Sequence, residues 1–136
     1  MLNRKIEAME KVNFYTNQLW DYYKHPRHYG TLTNAHAGGR GYNPSCGDDI
    51  QVQVQIHQNE LIDGSFTGSG CVISQASTSM ILEHCISSPT ASIMQHETAW
   101  VLSLIKLNLG PNRLRCALLG LEALQQAIGA HMKSKE

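Results

Sequence analysis

A strict alternation of apolar and polar residues over positions 50–56 constrains the fold of this chain more than any other feature. Two isoleucines and two valines are separated by single glutamines, so a β-strand places all four apolar side chains on one face. Residues 58–60 can form a turn, and a weaker strand over 61–67 leads into the glycine-rich residues 68–70. An antiparallel hairpin with one covered face is therefore predicted.

Helical spacing of apolar residues predicts helices on both sides of this hairpin. Pro26 limits the first helix, Ser88-Pro89 is typical of a helix start, and Gly110-Pro111 is expected to stop the helical region that precedes it. The predicted helices are Ile6–Tyr23, a helix capped by Ser74 or a nearby serine and running to Ile86, one broken or two short helices between Ser88 and Gly110, and Ala117–Met132.

The segment from Gly30 to Gly47 is rich in glycine and asparagine, which predicts a long loop that places Cys46 on mobile, accessible backbone. The order of helix, strands and helices predicts an α+β fold, with a small antiparallel sheet packed against several helices. At 136 residues and 42% hydrophobic residues, the chain can bury one core. Residues 1–136 are therefore expected to form a single domain.

The charge balance argues against broad electrostatic recognition. Eleven lysines and arginines balance eleven aspartates and glutamates, so we expect no basic surface for nucleic acid or an anionic membrane. No apolar run approaches the ~20 residues that a membrane span requires, and the charged residues 1–13 lack the apolar region of a signal peptide. We therefore expect a cytoplasmic protein with neither nucleic-acid nor membrane partners.

Three of the four cysteines, each in a different sequence setting, suit metal or sulfur chemistry. Cys46, Cys71 and Cys116 are far apart in sequence, so only the fold could bring them together. Asp48 adds a carboxylate, which makes three sulfurs and one oxygen, a possible four-ligand shell for a soft or borderline metal. Cys85 differs because it lies in an apolar, helical segment, where a free cysteine is most often a small buried hydrophobe.

The surroundings of these thiols predict how they would react. Cys71 precedes a predicted helix and Cys116 opens the last one, so helix N-terminal amides would favour their thiolates, helped at Cys116 by Arg113 and Arg115. As a harder ligand than cysteine, Asp48 would hold iron or zinc less durably, which suits a metal cargo that must leave. The alternative for Asp48 is a loop aspartate that caps local amides.

The sequence lacks the motifs of histidine metal sites, nucleotide-binding proteins and hydrolases. The seven histidines follow no metal-ligand spacing, so each is expected to be a surface or structural residue. The chain also lacks a GxGxxG fingerprint, a Walker loop and a GxSxG elbow, which weakens nucleotide-binding and hydrolase interpretations.

Three sequence blocks in the correct order, together with an opening block, resemble the U-type iron-sulfur cluster assembly family, which comprises IscU, SufU and the N-terminal domain of NifU. The blocks are Tyr22–Gly30, Asn43–Asp48, Gly68–Ser77 and Arg115–Ala117, and the resemblance spans about residues 15–130. It implies a SufE/NifU-like α+β scaffold in which Cys46, Asp48, Cys71 and Cys116 meet at one exposed end. These four residues would be the metal and cofactor ligands.

The resemblance also implies a function. The scaffold would accept sulfur from a pyridoxal-phosphate-dependent cysteine desulfurase, bind iron, assemble a transient [2Fe-2S] cluster and pass it to recipient apoproteins. Zinc is the other metal implied for the site. The alternative is a SufU-type zinc-dependent sulfurtransferase, an enzyme in which Cys46 or Cys116 accepts the persulfide. A third interpretation has zinc only stapling a small domain, although structural zinc usually prefers closed Cys/His shells.

Departures from the subgroup patterns leave the first two alternatives open. Arg115 stands where IscU-like relatives have histidine, which favours the SufU-like interpretation. The insertion that SufU-like relatives carry between the second and third cysteines is missing, which favours the IscU-like one. Residues 109–113 read Leu-Gly-Pro-Asn-Arg where IscU-like relatives carry Leu-Pro-Pro-Val-Lys, so we do not expect specific handling by an Hsc-type chaperone.

Overall fold

An antiparallel sheet of three strands, in the spatial order β1-β2-β3, is covered on one face by helices. The computed structural model describes residues 17–135. The elements are α1 (residues 17–24), β1 (Ala37–Asn43), β2 (Asp48–His57), β3 (Glu60–Ser69), α2 (Val72–Cys85), α3 (Thr90–Met94), α4 (Thr98–Ile105) and α5 (Pro111–Ser134). The predicted α+β class is confirmed.

The β2–β3 hairpin is the element that the sequence predicts most closely. Ile50, Val52, Val54 and Ile56 are all buried in the core, as the alternation requires. Gln58 and Asn59 form the turn with φ values of 51° and 61°, the left-handed conformation that matches the twist of a tight hairpin.

Strand β1 lies inside the segment that the sequence predicts to be a long loop, so that prediction is wrong in part. Glycine is depleted in strands, which is why the composition favoured a loop. Here the glycines serve packing, because α5 lies directly on the backbone of β1. A β-carbon at Gly39 would overlap the carbonyl oxygen of Ala123, and one at Gly41 would overlap that of Leu119.

The helix boundaries differ from the prediction at two places. Gly110 is the N-cap of α5 and Pro111 is its first residue, so Gly-Pro starts this helix rather than stopping the one before it. Helix α4 has already ended at Ile105, where Lys106 adopts a left-handed conformation. Cys116 therefore lies in the second turn of α5 and does not open the helix as predicted.

Of the other helix predictions, one is confirmed, one names the wrong cap residue, and one lies partly outside the described residues. The helical region after Ser88 consists of two short helices, α3 and α4, as one alternative predicted. Cys71, not a serine, occupies the N-cap of α2, and no side chain caps that helix end. Of the predicted helix Ile6–Tyr23, residues 6–16 lie outside the described part of the chain, and Leu19 in α1 packs into the core.

The helices of residues 17–135 do not include one with the length and apolar character needed to cross a bilayer.

Candidate metal centre

The four predicted ligands come from three separate elements that meet at one end of the sheet. Cys46 lies in the turn of residues 44–47 that joins β1 to β2, and Asp48 is the first residue of β2. Cys71 is the N-cap of α2, and Cys116 faces the same place from the second turn of α5. The hairpin turn and the two helices thus carry the three thiols to one carboxylate.

The tightest group consists of Cys46, Asp48 and Cys116. One potential ligand atom from each residue lies within 4.8 Å of the other two, and the sulfurs of Cys46 and Cys116 are 3.6 Å apart. Cys71 is not part of this tight group, but its thiol donates to Asp48 Oδ2 at 3.3 Å and its backbone N–H donates to Oδ1 at 3.2 Å. The carboxylate therefore links Cys71 to the other two thiols.

The thiols keep the Asp48 carboxyl ionised. Asp48 is only 4% exposed, and burial alone would raise its pKa. Hydrogen bonds from the thiols of Cys116, Cys71 and Cys46, with one from the backbone N–H of Cys71, outweigh burial and lower the pKa below its usual value. The centre of the group therefore carries a negative charge that would attract a cation.

The expectation that helix amides favour the thiolate is wrong for Cys116. Burial is the largest cause, and the Asp48 carboxylate and the Cys46 thiol add to it, so the pKa of Cys116 is raised far above its ordinary value. The physical reason is position, since the second turn of α5 is past the free amides of the helix end and Cys116 is 6% exposed. Cys116 is a protonated thiol until a metal or another partner removes its proton.

Sequence reasoning gave no role to Asn43, although it begins one of the quoted motifs. Its buried amide Nδ2 lies 3.8 Å from Cys116 Sγ, and its Oδ1 accepts the Ser45 N–H at 3.1 Å. The Asn43 carbonyl also accepts the Gly47 N–H at 2.8 Å. Asn43 thus closes the turn that carries Cys46 and ties it to Cys116. An asparagine at the start of a four-residue turn was the available signal.

Gly70 lets Asp48 approach Cys71. A β-carbon at Gly70 would lie 3.0 Å from the carboxyl carbon of Asp48 and still closer to Ser74 Oγ. The sequence predicts that the glycine before Cys71 allows a sharp turn. The structure shows that this glycine also leaves room for the Asp48 carboxylate beside Cys71.

The three thiols open onto a cleft of about 670 Å³ with mainly apolar walls. Leu19 and Trp20 of α1, Val72 and Ile73 of α2, and Leu107 and Leu109 before α5 line it, and Arg113 provides a positive charge. Arg115 is exposed and lies outside the lining. Local sequence patterns do not predict this cleft, because its walls come from four distant segments, namely the three above and the turn that carries Cys46. Cys46 and Cys71 are exposed at its floor, so a partner molecule can reach them.

The histidines lie apart from this group. Among residues 17–135, no histidine belongs to a cluster of three or more possible metal ligands. The ring of His36 stacks on that of His131 at 5.6 Å, and His36 Nδ1 accepts the Ile56 N–H at 3.0 Å. For His36 and His131, these contacts are those of structural histidines, as the sequence predicts.

Cys85 packs in the core, as predicted. It is 1% exposed, and burial raises the pKa of its thiol to about 12, so it is neither accessible nor ionised at neutral pH. We expect Cys85→Ala to leave metal loading unchanged and to cost about 1 kcal/mol of unfolding free energy. Metal analysis and alkylation of the native protein check this. Loss of metal, or alkylation of Cys85 as fast as of Cys46, would contradict it.

The donor set fits a borderline metal or an iron-sulfur cargo. Thiolate sulfurs suit zinc and iron-sulfur clusters, and a carboxylate oxygen adds a harder, more easily exchanged contact. The exposure of two of the thiols differs from a closed structural zinc site, in which the ligands are sequestered. The geometry therefore suits a metal or cluster that enters and leaves through the cleft.

Comparisons with known proteins show the family of this chain. The family model for the NifU-like N-terminal domain matches residues 14–136. The chain is 30% identical to an iron-sulfur cluster assembly scaffold protein IscU of Streptococcus pyogenes, over 89% of this chain and 87% of the relative. It is 29% identical to the zinc-dependent sulfurtransferase SufU of Bacillus subtilis, over 84% and 88%.

A solved structure gives the same result for the fold. It is named as a scaffold protein for the SUF system from Fervidobacterium islandicum, and it shares 27% identity and a TM-score of 0.69 over 82% of this chain and 93% of its own. The family model alone spans nearly the whole chain. This chain, which carries a group of thiols and a carboxylate at one end of its three-stranded sheet, belongs to the NifU-like N-terminal domain family.

Proposed function

We propose that this chain is a scaffold for iron-sulfur cluster assembly. It takes sulfur from a pyridoxal-phosphate-dependent cysteine desulfurase, binds iron, builds a [2Fe-2S] cluster and passes it to recipient apoproteins. The observation that carries the proposal is the meeting of Asp48 with three thiols at the floor of an open cleft. The names of the Streptococcus pyogenes and Fervidobacterium islandicum relatives support it.

Cys46, Asp48, Cys71 and Cys116 are the proposed ligands of this cargo. A [2Fe-2S] cluster takes four protein ligands, two for each iron, and these residues supply that number. Zinc needs four ligands in total, so the same residues can hold it when no cluster is present. The four cysteines are all free, which fits the reducing conditions of the cytoplasm, where we place the protein.

Asp48 makes the cargo transferable. A carboxylate binds iron less durably than a thiolate does, so the iron held by Asp48 is where the cluster is released. We expect Asp48→Ala to lengthen the lifetime of an assembled cluster several-fold and to slow its transfer to an apoprotein. Decay of the visible absorption of the cluster measures this. An unchanged or shorter lifetime would count against the proposed role of Asp48.

Anaerobic reconstitution tests the proposed function. The chain is incubated with iron, cysteine and a cysteine desulfurase, and visible absorption, iron and acid-labile sulfide are measured. A scaffold should gain iron and sulfide in equal amounts, with the absorption of a cluster. Tightly held zinc and faster desulfurase turnover without any cluster would reject the scaffold.

That second outcome would support a zinc-dependent sulfurtransferase instead. Two observations favour this alternative. Arg115 precedes Cys116, which was the SufU-like feature of the sequence, and the Bacillus subtilis relative is named as such an enzyme. Cys46 is the better placed of the two candidate persulfide acceptors, because its thiol is exposed while that of Cys116 is buried.

A further inference from the structure

The sulfurs of Cys46 and Cys116 form an unusual pair. They lie 3.6 Å apart, in contact with each other, although 70 residues separate them in the chain. One thiol is exposed in a turn, and the other is 6% exposed in a helix. An exposed thiol can accept sulfur from a partner protein, whereas a buried thiol beside it can react only with what its neighbour carries.

We propose that Cys116 resolves a persulfide on Cys46, releasing the outer sulfur as sulfide and leaving a Cys46–Cys116 disulfide. This inference rests on the proposed function in one respect, since it takes the persulfide that a desulfurase would supply. In this inference, the thiols of Cys46 and Cys116 supply the two electrons that reduce the transferred sulfur to the sulfide of a cluster.

The reaction balances without any further reductant. Cys116 passes its proton to the neighbouring Asp48 carboxylate as its Sγ attacks Cys46 Sγ. The new S–S bond forms, and the bond between Cys46 Sγ and the outer sulfur breaks. The outer sulfur leaves with the bonding electron pair and takes up the proton that Cys116 loses, so one H₂S is formed. In this step the Cys116 sulfur is oxidised and the outer sulfur is reduced. Over sulfur transfer and resolution together, two cysteine thiols become one disulfide. A dithiol or thiol reductant must then reduce that disulfide before Cys46 and Cys116 can bind a cluster or accept another sulfur.

The turn that carries Cys46 has room for the step. The two sulfurs must close from 3.6 Å to a bond length of about 2.05 Å. Cys46 and its neighbours on either side are exposed, and a β-carbon at Gly47 would meet no atom within 4 Å among the described residues. The buried Asn43 amide lies 3.8 Å from Cys116 Sγ and keeps that sulfur near the turn.

The same geometry disfavours Cys71 as the resolving thiol. Its sulfur donates to Asp48 Oδ2 at 3.3 Å and lies outside the tight group of Cys46, Asp48 and Cys116. Cys71 is also exposed, so thiols of other molecules can react with it. A buried resolving thiol such as Cys116 is protected from them. Transient cytosolic disulfides are usually catalytic, which is the role that the Cys46–Cys116 bond would have here.

The test uses the full chain, freed of metal by a chelator, without iron and without a desulfurase. One molar equivalent of glutathione persulfide is added anaerobically, the sulfide released is measured over time, and an alkylating reagent then traps the free thiols for peptide mapping. We expect about one sulfide for each persulfide transferred to the chain, and a linked peptide pair containing Cys46 and Cys116. A dithiol should restore the reduced chain.

Two variants sharpen the result. Cys116→Ser should retain the persulfide on Cys46 and slow sulfide release by roughly tenfold or more, because the neighbouring thiol is lost. Cys85→Ala removes a buried thiol outside the site and should behave as the wild type. A stable persulfide on wild-type Cys46, or a disulfide that involves Cys71, would overturn the inference. The wild-type peptide map decides the question even if Cys116→Ser does not fold.

A second arm separates this inference from the proposed function. A fresh sample of the reduced, metal-free chain is reconstituted with iron and inorganic sulfide. This sulfide is already at the oxidation level of a cluster, so no sulfur has to be reduced. A cluster formed in this arm, together with an unresolved persulfide in the first, would reject the resolving role and leave the scaffold standing. Resolved persulfide without any cluster would reject the scaffold and leave the resolving role standing.

Discussion

Replacing Gly39 with alanine is expected to lower the unfolding free energy by about 3 kcal/mol. The physical reason is the direct contact of α5 with the backbone of β1, where the new methyl group would overlap the carbonyl oxygen of Ala123 and approach the backbone nitrogen of Ala127. Both are main-chain atoms of a long helix, so they cannot move aside as a flexible side chain could. Urea denaturation measures the change.

Gly38→Ala is the matched control for this prediction. It changes the neighbouring residue of the same strand, but its β-carbon would lie 3.4 Å from the Val52 carbonyl oxygen, an ordinary contact, on an exposed position. The control should keep the unfolding free energy within about 1 kcal/mol of the wild type, because it adds no overlap and reduces the freedom of the unfolded chain. Equal stability of the two variants would contradict the packing described for α5.

Removing the Cys116 thiol is expected to weaken metal binding by about 100-fold or more. Loss of a group that only orients a ligand typically costs 10- to 100-fold in affinity, so loss of a proposed ligand should cost at least the upper figure. Cys116→Ser changes one sulfur to oxygen in the residue that joins the tight group from α5. Competition of the variant with a chelator for Co²⁺, followed by thiolate-to-cobalt absorption, measures the affinity.

Cys85→Ser removes a thiol as well and serves as the control for Cys116→Ser. Cys85 lies in the core at the last residue of α2, whereas Cys71 is the N-cap at the other end of that helix. The affinity of the Cys85→Ser variant for Co²⁺ should therefore match that of the wild type. Equal affinities of the Cys116→Ser variant and the wild type would mean that Cys116 is not a ligand. A loss confined to Cys85→Ser would place the metal elsewhere in the molecule.

The elements that sequence predicts well are those decided by local patterns. The β2–β3 hairpin follows from the alternation at residues 50–56 and from two residues that accept a left-handed turn. Strand β1 depends on something else, namely the space that Gly39 and Gly41 leave for α5. The composition of a segment cannot reveal that contact. A Gly-Pro pair is similarly ambiguous, because proline suits the first turn of a helix as well as the end of one.

The residues of the candidate site could be predicted from the sequence, but its geometry could not. Three thiols and one carboxylate predict a metal or sulfur site, and the family resemblance implies the same four residues. No spacing relates Cys46 to Cys116, so their 3.6 Å contact depends on the whole fold. The predicted direction of the pKa shift of Cys116 is wrong for the same reason. Burial raises this pKa, and burial depends on how α5 packs.

The Mössbauer spectrum of the reconstituted chain tests the central claim most directly. Iron-enriched protein is prepared with cysteine and a cysteine desulfurase, and the spectrum reports the ligands of each iron separately. If Cys46, Asp48, Cys71 and Cys116 hold a [2Fe-2S] cluster, two different ferric sites should occur in equal amounts, because only one iron has a carboxylate ligand. Two equivalent iron sites, or isolated iron without sulfide, would contradict the account.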